Sequence, residues 1–157
     1  MCRWYGILIF KYMKILGYDW ILRLDDDSYI HTEINYDMFK LMHDNNYIYG
    51  YRSLASEDKK WRNNFIETIT NYIINNNNLV NKYDILLKYY VLNYDKWESD
   101  KFNLIGPYTN FFITNVNNWL TPDVQKFLTC IDNSGGIYKY RWGDLIIHSA
   151  VINIFFN

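Results

Sequence analysis

Three consecutive aspartates, Asp25-Asp26-Asp27, follow directly on the hydrophobic segment 20–24. Neighbouring carboxylates repel one another and aspartate is a poor strand former, so this run does not serve stability. Segment 20–24 itself has the composition of a short, mostly buried strand. In open α/β sheets, ligand sites lie at the carboxyl ends of the strands. The run therefore predicts a ligand site at the end of this strand.

The pattern along the chain alternates short strands with helices, which predicts an α/β fold. The hydrophobic spacing predicts helices over 4–16, 36–43, 61–74, 83–91, 122–131 and 145–155, and strands over 20–24, 47–51 and 108–114. Gly17 is the predicted C-terminal cap of the first helix, and Asn35 and Thr121 are predicted N-caps. With 157 residues and no convincing linker, residues 1–157 are predicted to form a single domain.

Composition excludes several classes of protein. Half of the chain is hydrophobic and a fifth is aromatic, which favours a folded core, and a net charge of −1 provides no general attraction for nucleic acid. Cys2 and Cys130 are too few for a disulfide framework, and buried free thiols are expected. The apolar stretches 4–16 and 145–156 are shorter than the roughly 20 residues of a membrane span. A glycine-rich phosphate loop, a nucleophile elbow and zinc-type Cys/His spacing are all absent.

The aspartate run is a candidate metal site. Alternate residues of an extended segment share a side, so Asp25 and Asp27 are predicted to point together. Two carboxylates and the oxygens of a diphosphate suit Mg²⁺ or Mn²⁺. A solvated acidic loop or a helix cap is the alternative.

Arg141-Trp142-Gly143-Asp144 is the second candidate feature. Arg141 could pair with a phosphate or with a nearby aspartate. Trp142 beside a glycine suggests an aromatic platform of the kind that binds sugars, and Asp144 could instead cap the helix that follows. His148 lies four residues after Asp144 on the same helical face, and could bind metal or substrate or be a hydrogen-bonded core residue.

Taken together, these segments resemble the fungal-type α-1,2-mannosyltransferases of glycosyltransferase family 15. The most specific element is Arg141-Trp142-Gly143-Asp144 followed by His148-Ser149. The other matching segments are Met1-Cys2-Arg3-Trp4, residues 18–27, Ile34-Asn35-Tyr36-Asp37, Tyr49-Gly50-Tyr51, Asn110-Phe111 and Gly135-Gly136.

The resemblance implies a partial GT-A-type nucleotide-diphospho-sugar transferase fold, with a mixed sheet flanked by helices. It also implies Mn²⁺-assisted, retaining transfer of mannose from GDP-mannose to a hydroxyl of a mannoside or glycoprotein, in the Golgi or secretory membrane system. Asp25 and Asp27 match the family's metal motif, and Asp144 matches an acidic active-site residue. The predicted substrate-binding residues are Arg141, Trp142, His148 and Tyr49.

The chain departs from the family at Phe112. Many members carry a glutamate there that has been proposed as the nucleophile, and a phenyl ring cannot take that role. Against the family pattern, the chain is also expected to lack the N-terminal part and the extreme C-terminus. Two alternatives to an active mannosyltransferase follow: a degenerate binding module for carbohydrate or nucleotide sugar, and a subunit that works with a separately encoded N-terminal half.

Overall fold

The computed structural model of the chain describes residues 1–76, residue 79 and residues 105–156. The predicted helix over 83–91 lies outside the described residues. The helices are α1 (Ile9–Ile15, preceded by a π-helical turn Trp4–Leu8), α2 (Met38–Asp44), α3 (Phe65–Ile74), α4 (Val116–Trp119), α5 (Pro122–Asn133), α6 (Gly136–Lys139) and α7 (Asp144–Phe155). The strands are β1 (Trp20–Leu24), β2 (Tyr49–Tyr51), β3 (Leu54–Ser56), β4 (Ile105–Pro107) and β5 (Phe111–Asn115), with a 3₁₀ turn at Lys59–Trp61.

The larger sheet among the described residues has the strand order β1-β5-β2. Both pairings are antiparallel, so β1 and β2 run parallel to each other on either side of β5. The register places Arg23 and Tyr51 opposite Phe112 on its two sides. Directly paired residues share a face of the sheet, so these three side chains lie on one face. Strands β3 and β4 form a separate antiparallel pair, which the sequence analysis missed.

The first helix ends as predicted at Gly17, which has a φ of +87°. The amide of Gly17 donates to the carbonyl of Lys14, and the amide of Tyr18 donates to that of Met13, both at 3.0 Å. This pair of bonds is a Schellman motif, which needs a left-handed residue after the helix and therefore favours glycine. The motif turns the chain directly into β1.

Other helix boundaries differ from the predictions. The α2 cap is Asp37 rather than Asn35, because the Asp37 carboxylate accepts from the Lys40 amide at 3.0 Å. Thr121 precedes α5 as predicted, but its hydroxyl donates to the carbonyl of Asn118 instead of capping. Helix α3 begins at Phe65, after the 3₁₀ turn, whereas the hydrophobic pattern predicted a start at position 61.

Helix α7 is the centre of the core, because it packs against both the N-terminal π-helical turn and β4. The contact with β4 is close: a Cβ at Gly106 would lie 2.8 Å from Cβ of Ser149. Almost every residue from Leu145 to Ile154 is buried, in agreement with the continuous apolar pattern of that segment. Within the described ranges, no helix has both the length and the apolar character needed to cross a membrane.

Candidate active site

Arg23 joins the two sequence motifs. Its Nε and Nη2 atoms each lie 2.8 Å from Oδ1 of Asp25, and its Nη1 donates to Oδ2 of Asp144. The guanidinium carbon also lies 3.8 Å from the centre of the Tyr5 ring. A carboxylate from the end of β1 and one from the start of α7 therefore converge on one guanidinium, although Arg23 and Asp144 are 121 residues apart in the chain.

The electrostatics of Arg23 follow from this arrangement. The side chain is only 16 % exposed. Burial lowers the pKa of Arg23, but the charges and hydrogen bonds of Asp144 and Asp25 outweigh it, so the pKa is raised overall. The guanidinium is therefore charged at every physiological pH. Sequence analysis missed Arg23, although it is the single charge in an otherwise apolar strand.

The aspartate run does not continue the strand. Asp26 and Asp27 form the middle of a turn, in which the Ser28 amide donates to the carbonyl of Asp25 at 3.0 Å. The premise that strand alternation makes Asp25 and Asp27 point together is therefore wrong. Asp25 is half-buried beside Arg23, whereas Asp27 is exposed at the third position of the turn.

The donor set for a divalent cation is of the right chemical type but incomplete. Mn²⁺ and Mg²⁺ take carboxylate oxygens. Asp27 is exposed, and Asp25 contacts Arg23 through Oδ1 rather than Oδ2. Across residues 1–76, 79 and 105–156, no group of three or more His, Cys, Asp or Glu side chains is placed to hold a metal. A cation held by these carboxylates would need its other ligands from elsewhere, such as the oxygens of a diphosphate.

Asp144 is not the cap of α7. It is the first helical residue, and the N-cap position belongs to Gly143, which makes no side-chain capping bond. The Asp144 carboxylate is instead committed to Arg23. The capping alternative is therefore wrong for this side chain, which projects from the helix start into the cluster around Arg23.

Glu57 is a further carboxylate at this place, and sequence analysis did not find it. A Cβ at Gly143 would lie 3.0 Å from Oε2 of Glu57, so glycine leaves room for this side chain at the start of α7. Burial raises the pKa of Glu57, the amide of Asp58 lowers it, and the charge of Asp144 raises it again. The net effect is a pKa above the ordinary value.

Arg141 and Trp142 have different environments. Arg141 is exposed, has a φ of +58°, and lies with its guanidinium 4.7 Å from the centre of the Trp61 ring. Trp142 is only 1 % exposed, and its indole N–H donates to the carbonyl of Asn63 at 2.9 Å. The ring packs so tightly on Gly136 that a Cβ there would approach it to 2.4 Å. Trp142 therefore offers no face to a sugar, and the platform prediction is wrong.

His148 lies in the core, with no exposed surface. Its Nε2 donates to the carbonyl of Tyr5 at 3.0 Å, which leaves Nδ1 to accept from the Tyr49 hydroxyl at 2.9 Å. Burial lowers the pKa of His148 to about 4, against a smaller opposing effect of Asp144. In this arrangement neither ring nitrogen can contact a metal or a substrate, so the core alternative is correct and the substrate-binding prediction for His148 is wrong.

Tyr49 is partly buried and packs against the same group. Its hydroxyl is bonded to His148, and its ring stacks on Phe112 with centroids 5.4 Å apart. Burial raises the pKa of Tyr49 well above its ordinary value, and the charge of Asp144 adds to this. The phenol is therefore a neutral donor to the histidine, which is a structural use of a residue predicted to bind substrate.

Phe112 is fully buried at the position where the family pattern has a glutamate. Its ring meets the His148 ring edge-on, with centroids 5.1 Å apart. The side chain therefore seals the histidine on the sheet face that also carries Arg23. The two cysteines, in contrast, are free as predicted but half-buried rather than fully buried.

The comparisons with known proteins agree on one family. The model of the glycolipid 2-alpha-mannosyltransferase family matches residues 1–157. Glycolipid 2-alpha-mannosyltransferase 2 of Candida albicans is 30 % identical over 155 residues, which are 99 % of this chain and 32 % of that protein. Glycolipid 2-alpha-mannosyltransferase of Saccharomyces cerevisiae is 28 % identical, over 99 % of this chain and 34 % of its own length. The chain thus spans about a third of these relatives.

Solved structures show the fold. Core-mannan synthase A of Aspergillus fumigatus, in its Mn/GDP form, superimposes on 99 % of this chain and 42 % of its own with a TM-score of 0.85 at 20 % identity. The mannosyltransferase Ktr4p of S. cerevisiae in complex with GDP gives 0.83 at 24 % identity, over 99 % of this chain and 40 % of its own. The chain therefore has part of the GT-A-like α/β fold of these enzymes. By its sequence and its fold, the chain belongs to the glycolipid 2-alpha-mannosyltransferase family, the glycosyltransferase family 15 that its motifs resemble.

Proposed function

We propose that this chain forms the metal-side and acceptor-side part of a mannosyltransferase that uses GDP-mannose. The observation that carries the proposal is the convergence of Asp25 and Asp144 on Arg23. It joins the end of a sheet strand to the start of a helix, where α/β folds place ligands. Family membership and the Mn/GDP and GDP forms of structural neighbours support the choice of donor.

Asp25 and Asp27 would hold the divalent cation, with the diphosphate of the donor completing the coordination. A cation there supplies neutralisation of the negative charge that develops on the leaving diphosphate. The chain's own contribution is placement, since Arg23 fixes Asp25 while Asp27 is exposed on the adjoining turn. Arg141, which is exposed and lies three residues before Asp144 in the chain, would bind a phosphate or a sugar hydroxyl.

Asp144 would act on the acceptor. Its carboxylate is held in place by Arg23, and a carboxylate can accept a proton from a hydroxyl. Phe112 cannot form a covalent bond to the sugar, so double displacement through that position is ruled out in this chain. Transfer would then depend on Asp144. Alternatively, the acceptor hydroxyl would attack on the face from which the diphosphate leaves, and the leaving diphosphate would act as the base.

Calorimetry on the purified chain tests the donor site. We expect weak Mn²⁺ binding alone and tighter Mn²⁺ binding with GDP, because the diphosphate supplies ligands that the described residues do not. The double variant Asp25→Asn/Asp27→Asn should lose this coupling. If GDP leaves the Mn²⁺ affinity of the parent unchanged, the proposed site does not exist.

The burial of Phe112 favours a second function, that of a binding module without catalysis. Such a module would bind GDP or a mannoside and transfer nothing. An assay of mannose transfer from GDP-mannose to a mannoside separates the two. Binding without transfer by the parent, together with transfer by Phe112→Glu, would establish a degenerate enzyme.

Three further predictions depend on the resemblance alone. They are a mannoside or glycoprotein acceptor with an α-1,2 linkage, a place in the Golgi or secretory membrane system, and a partner in the form of a separately encoded N-terminal half. Co-purification with such a half, followed by the same transfer assay, would test the last of them.

A further inference from the structure

We propose that Arg23 is a positioning residue and an internal counter-ion of the candidate site. It holds Asp25 and Asp144 at one point, and its charge lowers the affinity of these carboxylates for a divalent cation that arrives without its diphosphate. The inference rests on the proposed function for the identity of the cation. Its geometry rests on the described contacts alone.

The contacts of Arg23 show that its guanidinium is fully engaged. Two of its nitrogens face one oxygen of Asp25 at 2.8 Å, and the third faces Asp144. The ring of Tyr5 covers the planar side at 3.8 Å. Arginine suits this place because its rigid fork reaches two carboxylates at once and its plane stacks on an aromatic ring, neither of which lysine reproduces.

The backbone of Tyr5 is itself held in place by a hydrogen bond. Its carbonyl accepts the Nε2 proton of His148, which is buried and bonded at both nitrogens. The aromatic ring under Arg23 is therefore anchored through its backbone to the core of α7. The guanidinium has little freedom to move away from either carboxylate.

The net charge of Arg23, Asp25 and Asp144 determines how this cluster interacts with a cation. Asp25 and Asp144 contribute two negative charges and Arg23 returns one positive charge, so the trio has a net charge of −1. A divalent cation near Asp25 meets the guanidinium at a distance of a few ångströms. Between partly solvated charges this repulsion is worth at least about a tenfold change in affinity. An anionic diphosphate, in contrast, is attracted by the same guanidinium.

The test is an electron paramagnetic resonance titration of Mn²⁺ alone, followed by calorimetry with GDP, on the whole chain. We expect Arg23→Gln to bind Mn²⁺ alone at least about tenfold more tightly than the parent, and GDP in the presence of Mn²⁺ more weakly. Arg23→Met keeps the volume against Tyr5 and should behave in the same way. Arg23→Lys keeps the charge and should return the affinity for Mn²⁺ alone to within about twofold of the parent.

Arg3→Gln is the matched control. Arg3 makes a similar two-nitrogen ion pair with Asp132, at 2.7 and 2.8 Å. Among the described residues, neither of them is hydrogen-bonded or ion-paired to Arg23, Asp25 or Asp144. Its loss should leave both affinities unchanged. Measuring thermal unfolding of all four variants separates a loss of stability from a change in the site.

Several outcomes would overturn the proposal. One is a Mn²⁺ affinity in Arg23→Gln and Arg23→Met no higher than in the parent. Another is failure of both to fold while Arg23→Lys folds, which would assign Arg23 to stability alone. If the parent binds Mn²⁺ but not GDP, the proposed function fails. The Mn²⁺ affinities of the Arg23 variants and the parent, measured without GDP, still decide the role of Arg23.

Discussion

Asp144 and His148 lie one turn apart on the same face of α7, yet their surroundings differ completely. Asp144 stands at the helix start, partly exposed, and pairs with Arg23. His148 is fully enclosed by aromatic rings and bonded to two neutral groups. Five residues of one helix therefore span the boundary between a charged site and a dry core. Helical periodicity tells which side a residue faces, but not how deep along the helix the solvent reaches.

The largest effect is expected at Asp144, the charged residue of this comparison. Asp144→Asn keeps the shape of the side chain but cannot accept a proton, so mannose transfer to a mannoside should fall at least 10²-fold. Circular dichroism would establish that the variant is folded. A loss of less than tenfold would reduce Asp144 to a structural partner of Arg23.

Lowering the pH should destabilise the fold through the buried His148. The pKa of His148 is about 4 in the folded chain and 6.5 in the unfolded chain, so the unfolded state binds more protons between these values. The stability from this group is complete above about pH 6.5 and is lost as the pH falls to about 4, by roughly 3 kcal/mol at the most. Urea unfolding across this range measures the loss.

A variant without the imidazole sharpens that experiment. His148→Leu should be less stable at neutral pH, because it leaves the Tyr49 hydroxyl and the Tyr5 carbonyl without their partner. It should also have a flatter pH dependence in the same window. An unchanged slope would mean that other groups cause the acid sensitivity.

Tyr49→Phe should have a smaller effect. It removes the donor to Nδ1 of His148 and leaves that buried nitrogen unsatisfied, at a cost of about 1–2 kcal/mol in the free energy of unfolding. Binding of Mn²⁺ with GDP should not change, because the hydroxyl is used inside the core. A large drop in GDP affinity would instead restore Tyr49 as a substrate-binding residue.

The smallest effect is expected at Asp26. This residue is exposed in the turn after β1 and makes no described contact, so Asp26→Asn should change Mn²⁺ affinity in the presence of GDP by less than about twofold. Asp27→Asn is the direct comparison and should weaken it more. Equal effects of the two would indicate a general field of negative charge rather than a defined ligand.

Much of the fold was predictable from local pattern. Strand β1 has the predicted bounds, and α7 begins one residue before the predicted start. Both are predominantly apolar segments with clear ends, and the length of such a run separates a short strand from a helix. The short strands β3 and β4 were missed because each is only three residues long and is defined by its partner across the chain. A pairing of that kind leaves little trace in either segment alone.

The candidate site was also only partly predictable from the sequence. The sequence determined the residue types, the acidic turn after β1, the Arg-Trp-Gly-Asp segment and the family. Only the tertiary structure decided which of these groups meet. It brought Arg23 to both Asp25 and Asp144, enclosed Trp142 and His148, and placed Glu57 beside Gly143. The physical reason is that charge pairing and burial depend on groups far apart in the chain, whereas helix and strand patterns depend on neighbours.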